Sequence, residues 1–261
     1  MQASITFLGT GGARSAVHQV LATGGIVFKL GSHQIHLDPG PGALSKAKQY
    51  GVDIEHNSII LLSSLHVNHC NDVNALIEAM TDSGAKKRGI VVSGGNAGEY
   101  VSSRHREMIS ENVSLEPGKS LDIDGIIFHA IQTKNTIPTS AFKISAKDVI
   151  IGYTSDTELT HELEKGLENS DVLIINTIQP FGKKAPHALS SEDAVKLIEK
   201  VKPRLAIITH FGISMLRANP LYEAREISTR TGIQVIAATD GLKVDPTAYS
   251  AKAGQRMLSG Y

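Results

Sequence analysis

Histidine, aspartate and asparagine gather in this chain at a few places where apolar segments end. The densest is residues 63–72, "SSLHVNHCND", where two histidines stand three apart beside an asparagine, the chain's single cysteine and an aspartate. Asn135, Asp156 in "GYTSDT", His187 in "APHALSSEDA" and His210 in "IITHFG" follow further along. Histidine and carboxylate are the usual ligands of zinc and its neighbours, so the chemistry this set suggests is metal binding. Each residue also has a plainer reading. His66 and His69 can hydrogen-bond backbone at a tight turn, Asp156 can close an Asx turn, and His210 can be a satisfied strand-end histidine. Cys70 offers a thiol nucleophile beside histidines, but a small buried filler is the preferred assignment.

Other polar motifs fail. "GTGGAR" has Arg14 where the dinucleotide fingerprint needs its last glycine, and it lacks the Gly-Lys-Ser/Thr ending of a P-loop. "DPGPGAL" reads as a turn, and "GYTSDT" is not a nucleophile elbow.

The elements that must position these residues are short and apolar. "SITFLG" reads as a strand running into the glycine-rich turn at Gly9–Gly12, and "GIVFKL" and "QIHLD" as a hairpin about Gly31-Ser32. "SIILLSS" reads as a buried strand, and "DVNALIEAM" as a helix with Val73, Leu76, Ile77 and Met80 on one face, Asp72 capping it. "RGIVVSGG", "SLDIDGIIFHAIQT", "AFKISA" and "DVIIGYTSD" add strands, with turns at Asp124-Gly125 and Ala146-Lys147. The second half alternates: strand "DVLIINT", a helix started by Ser190 and Asp193 and ended by Pro203, strand "RLAIITH", helix "LYEAREISTRT" stopped by Gly232, and strand "QVIAA". Hairpins mixed with strand–helix units predict an α/β chain of four layers, two sheets covered by helices, as a single domain over residues 1–261.

Composition narrows the function. The 261 residues carry 26 basic and 26 acidic side chains, so no net positive field points to nucleic acid. One cysteine excludes an internal disulfide and a multi-thiolate zinc site. No signal peptide or membrane span is read, which sets the expectation of a cytoplasmic protein. A homodimer is left open.

In order along the chain, "HLDPGPGAL", "SIILLSSLHVNHCND", "IGYTSDT" and "AIITHFG" resemble the metallo-β-lactamase superfamily, closest to its phosphodiesterase and tRNA 3′-processing branches. The resemblance covers roughly residues 4 to 245 and implies the αββα sandwich. It also implies a dinuclear site whose loop ligands fall on Ser64, His66, Asn68 and His69, with Asn135, Asp156 and His210 following. Ser64, Asn68 and Asn135 are neutral where the family has histidine or acid. One of the two metal positions is therefore left with His66 and a share of Asp156. The other keeps His69, Asp156 and His210, a workable set for one divalent ion, zinc first, with iron or manganese as alternatives. Asp38 matches an acid that orients this loop by accepting a histidine N–H. The implied function is a metal-dependent hydrolase of a phosphodiester or other phosphorylated small molecule, running on one metal. In it His66, His69, Asp156 and His210 bind the ion, while Asp156 and His187 serve catalysis. Lys134, beside Asn135, is a candidate for positive charge facing a phosphate, with a solvated surface lysine the preferred reading. The alternatives are a catalytically inactive relative that binds or regulates, and repurposed chemistry at Cys70 or a lone iron.

Overall fold

The computed structural model describes residues 3–12 and 21–251; Arg14 of the glycine-rich segment lies outside them. The first half supplies strands β1 (Ser4–Phe7), β2 (Ile26–Leu30), β3 (His33–Leu37), β4 (Asn57–Leu62), β5 (Ile90–Gly94) and β6 (Glu111–Leu115). With them come helices α1 (Ala43–Gln49), α2 (Val67–Cys70), α3 (Val73–Thr81) and α4 (Ser103–Met108). The second half supplies β7 (Ser120–Ile123), β8 (Ile126–Gln132), β9 (Ser140–Ser145), β10 (Ile150–Tyr153), β11 (Val172–Gln179), β12 (Leu189–Ser190), β13 (Leu205–Thr209), β14 (Val235–Ala237) and β15 (Lys243–Val244). Its helices are α5 (His161–Leu167), α6 (Ser191–Val201), α7 (Ile213–Ala218) and α8 (Pro220–Thr231).

Two sheets result, in the orders β15-β1-β2-β3-β4-β5-β6 and β14-β13-β11-β10-β9-β8-β7, with β12 added to β11. The apolar runs of β4 and β11 follow from burial on both faces. Ile59 and Leu61 point into the layer between the sheets with Phe28, Phe128, Phe142 and Ile174, whereas Ile60 and Leu62 point outward against Val73, Leu76 and Ile77 of α3. In β11, Leu173 and Ile175 face outward against Leu197 and Ile198 of α6, and Ile227 of α8 joins the same cluster. This is the four-layer helix–sheet–sheet–helix stack that the pattern of the sequence predicts.

The turn residues act as expected. β2 and β3 pair antiparallel with Leu30 opposite His33, and the Asp124-Gly125 turn between β7 and β8 has both residues at positive φ, 50° and 84°. Ser190 caps α6 in a reciprocal capping box with Asp193. Gly232, at φ 69°, ends α8. Asp72 differs from its expected role. It stands ahead of α3 but makes no side-chain cap there; its Oδ2 instead accepts Gly42 N and Ala43 N at 2.8 and 2.9 Å, capping α1. Spacing along the chain pointed to the adjacent helix, while folding brings the bare N-terminus of α1 within reach.

Strands β3, β4 and β5 run parallel to one another, and so do β10, β11 and β13. Their carboxyl ends carry Asp38, Ser63, Asp156 and His210, where polar side chains leave the core while the sheets hold their backbones. No helix among the described residues is long and apolar enough to cross a membrane.

Candidate metal centre

Three side chains from distant segments meet at these strand ends. One ligating atom each of His69, Asp156 and His210 lies within 4.8 Å of the other two. Both His69 Nε2 and His210 Nε2 stand 3.2 Å from Asp156 Oδ2, with their rings centred 4.7 Å apart. His69 is 1% exposed, His210 9% and the Asp156 side chain 15%, so both histidines are buried and the carboxylate keeps some access to water. Two imidazoles and one carboxylate aimed at a common point are a suitable donor set for one divalent ion with open positions.

The backbone around this point is unusual. Asp38, Ser155 and His210 take φ of 52°, 53° and 61°, a left-handed conformation that is uncommon for residues other than glycine. The glycine-rich turn has a positional role here. A side chain at Gly12 would meet His210 O at 2.4 Å, and Gly12 N bonds Phe211 O at 3.1 Å. Gly40, in "DPGPG", would meet Asn68 O at 2.1 Å. These glycines therefore let two segments press against the loops that carry the trio, rather than cradling a nucleotide.

Behind His69 lies Asp38. His69 Nδ1 donates to Asp38 Oδ2 at 2.8 Å, which fixes the ring and leaves Nε2 facing Asp156. Asp38 also accepts Ser63 N (2.7 Å), Ser63 Oγ (2.6 Å) and the Tyr153 hydroxyl (2.7 Å). Burial opposes a charged His69, but Asp38 and Asp156 outweigh it and hold its pKa up at about 10. Burial likewise works against an ionised Asp156, and His210 and His69 reverse that, keeping the carboxyl well below the usual range. Protonated, His69 links two carboxylates; a cation would take the place of the Nε2 proton.

The remaining candidates lie outside this trio. His66 is exposed at the start of α2, outside the trio, and its Nδ1 bonds the Asn68 carbonyl oxygen. The Asn68 amide nitrogen lies 2.9 Å from His210 Nε2. Ser64 Oγ pairs with Thr139 Oγ1 at 3.0 Å, and Asn135 donates to the Asp156 backbone carbonyl at 2.9 Å. The positions that the resemblance assigned to a second ion are thus occupied with neutral hydrogen bonding. His187 is partly buried, with Nδ1 3.6 Å from Glu158 Oε1, and Lys134 Nζ pairs with Glu158 Oε2 at 2.6 Å. Cys70 is fully buried, its thiol bonded to Leu65 O and His66 O, and burial pushes its pKa to about 12, which suits a filler and not a nucleophile.

Sequence reasoning missed Ser63, Ser155, Tyr153 and Asn176. Ser155 Oγ reaches Ser63 Oγ at 2.6 Å, and Asn176 Nδ2 reaches Asp156 Oδ1 at 2.8 Å. The available signal was Asn176 itself, a lone amide inside the apolar run "DVLIINTI".

Comparison with known proteins gives the family and the fold. Residues 33–211 match the sequence family described as a beta-lactamase superfamily domain. An uncharacterized protein of Methanocaldococcus jannaschii, MJ1374, is 36% identical over 256 residues, covering 94% of this chain and 96% of that protein. Among solved structures, the metallo-beta-lactamase fold protein YhfI from Bacillus subtilis superposes with a TM-score of 0.78 at 19% identity, covering 93% of this chain and 98% of that one. A diphosphatase of the PhnP family gives 0.70 at 16% identity over 94% and 97% of the two chains. Human tRNase Z, short form, gives 0.70 at 14% over 92% and 98%. At these identities the structural likeness is one of fold.

Proposed function

Because the chain belongs to the beta-lactamase superfamily, a family of hydrolase-like proteins of metallo-β-lactamase fold, we propose that it hydrolyses a phosphodiester or other phosphorylated small molecule with one divalent ion. The observation that carries this reading is the convergence of His69, Asp156 and His210 within 4.8 Å. Zinc suits two histidines and a carboxylate, with iron and manganese next. Such an ion supplies Lewis acidity, polarising a substrate oxygen and acidifying a water.

The chain's own residues account for the rest. Asp38 fixes the His69 ring through Nδ1, and Asn68 approaches His210 Nε2 from the rim. Asp156 would be the single carboxylate among the three residues holding the ion, so the loaded centre would keep positive charge and attract an anionic substrate. His187, held beside Glu158, is our candidate for the group that delivers a proton to the leaving oxygen. Lys134 is neutralised by Glu158 and so brings less charge to a phosphate than its sequence position suggests. The phosphorylated substrate class draws on the diphosphatase and tRNase Z among the proteins of similar fold.

The test is turnover of bis(p-nitrophenyl) phosphate by protein reconstituted with zinc, iron or manganese. His69→Ala and His210→Ala are expected to lower kcat/KM by about 100-fold or more, and His187→Ala to lower kcat by about 100-fold with KM little changed. Turnover indifferent to His69→Ala would remove this site from the chemistry. A second reading, a binding module without turnover, is favoured by the neutral Ser64–Thr139 pairing. It predicts no bound metal after growth with zinc, iron and manganese, and no hydrolysis of bis(p-nitrophenyl) phosphate.

A further inference from the structure

Strand β11 carries one amide in its apolar run. Ile174 points into the layer between the sheets, and Asn176, two residues on, continues that row at the strand's carboxyl end. Its side chain is 1% exposed. Asn176 Nδ2 lies 2.8 Å from Asp156 Oδ1 and 3.2 Å from the Tyr153 hydroxyl oxygen, and that hydroxyl lies 2.7 Å from Asp38 Oδ2.

The direction of every proton in this chain is fixed by chemistry. An ionised carboxylate only accepts, so the amide nitrogen of Asn176, not its oxygen, faces Asp156. The Tyr153 hydroxyl must donate to Asp38, which leaves its oxygen to accept the second amide proton of Asn176. Asp38 in turn accepts Nδ1–H of His69 at 2.8 Å. One planar amide therefore joins the carboxylate of the trio to the carboxylate that orients the histidine of the trio. Asp156 Oδ1 is held by Asn176, and Oδ2 alone is turned to His69 and His210.

We propose that Asn176 is a positioning residue of this centre, acting through Tyr153 to set Asp156 and Asp38 as one unit and to present a single oxygen of Asp156 to the cation. This deepens the reading of His69, Asp156 and His210 as a metal centre and rests on it for its effect on metal binding. Orientation of Asp156 by the amide is independent of any ion.

The experiment has two arms. In the first, the full chain is titrated with Co2+ and followed by visible absorption. Asn176→Ala is expected to weaken Co2+ binding about 10- to 100-fold and to change the visible band, because the freed Oδ1 can join Oδ2 on the ion. Tyr153→Phe removes one hydroxyl, keeps the Asp156 contact, and is expected to weaken binding less. The double variant should fall short of the product of the two single effects. Near-UV circular dichroism checks that each variant is folded, and Asn176→Leu, which keeps the branched heavy-atom skeleton without a donor, replaces Asn176→Ala if that variant unfolds. Wild-type affinity and an unchanged band in the folded variant would overturn the proposal. In the second arm, the crystal structure of the metal-free variant is expected to show the Asp156 carboxylate turned from its present plane; an unmoved carboxylate would overturn the proposal as well. A wild-type chain that takes up no Co2+ would instead count against the metal centre, leaving the second arm to decide on Asn176.

Discussion

His36 shows what burial does to a titratable side chain here. It lies in β3 with no exposed surface, its Nε2 donating to Gly24 O at 2.7 Å, and burial lowers its pKa to about 4 despite that bond and the nearby Asp38 and Asp72. A folded pKa below the unfolded value of about 6.5 means that the unfolded chain takes the proton first as pH falls. The stability tied to a neutral His36 is therefore whole above about pH 6.5 and is lost progressively between 6.5 and 4, by about 3 kcal/mol in all. Urea unfolding as a function of pH should show this loss, and His36→Gln, which keeps an amide donor for Gly24 O, should flatten it. Residues of this kind were hard to read in advance. His69, Asp156 and His210 are polar groups at strand ends and stand out in the sequence, whereas Tyr153 and Asn176 sit within strands and read as core. Their role comes from a hydrogen-bond chain across two strands that no local spacing encodes.

Helices and turns hold the site by close approach and by capping. Gly40 has room only for a hydrogen, since a methyl there would meet backbone oxygens of Asn68 and Thr23 at 2.1 and 2.3 Å. Gly40→Ala is expected to cost about 3 kcal/mol of stability through overpacking and to weaken metal binding by displacing the 64–72 loop, both measurable on one preparation. Ser190→Ala, which breaks the capping box of α6, should cost about 1 kcal/mol in chemical denaturation and leave metal affinity unchanged. Most strands and the longer helices were legible because burial on one or both faces imposes a period on the sequence, whereas the largely exposed edge strand β6 shows none. The four-residue α2 and the two-residue β12 were not, because they are too short to show one. Asp72 illustrates the same limit: its type announced a cap, and only the fold decides that the capped helix is α1.

Across the molecule, two stacked sheets bring the carboxyl ends of their parallel strands to one edge, and residues 69, 156 and 210 meet there although more than half of the described chain separates the first from the last in sequence. The same edge carries Ser64, Asn68 and Asn135, neutral side chains that hydrogen-bond to Thr139, His210 and the Asp156 backbone. A triple variant, Ser64→His with Asn68→Asp and Asn135→His, is expected to raise the bound metal from one to two per chain, because it restores the charge and donors that a second ion needs. The most direct test of the account is metal content by mass spectrometry on the purified chain after growth with zinc, iron and manganese. It predicts about one ion per chain, lost in His69→Ala, Asp156→Ala and His210→Ala alike. No bound metal, or a metal retained by all three variants, would contradict it.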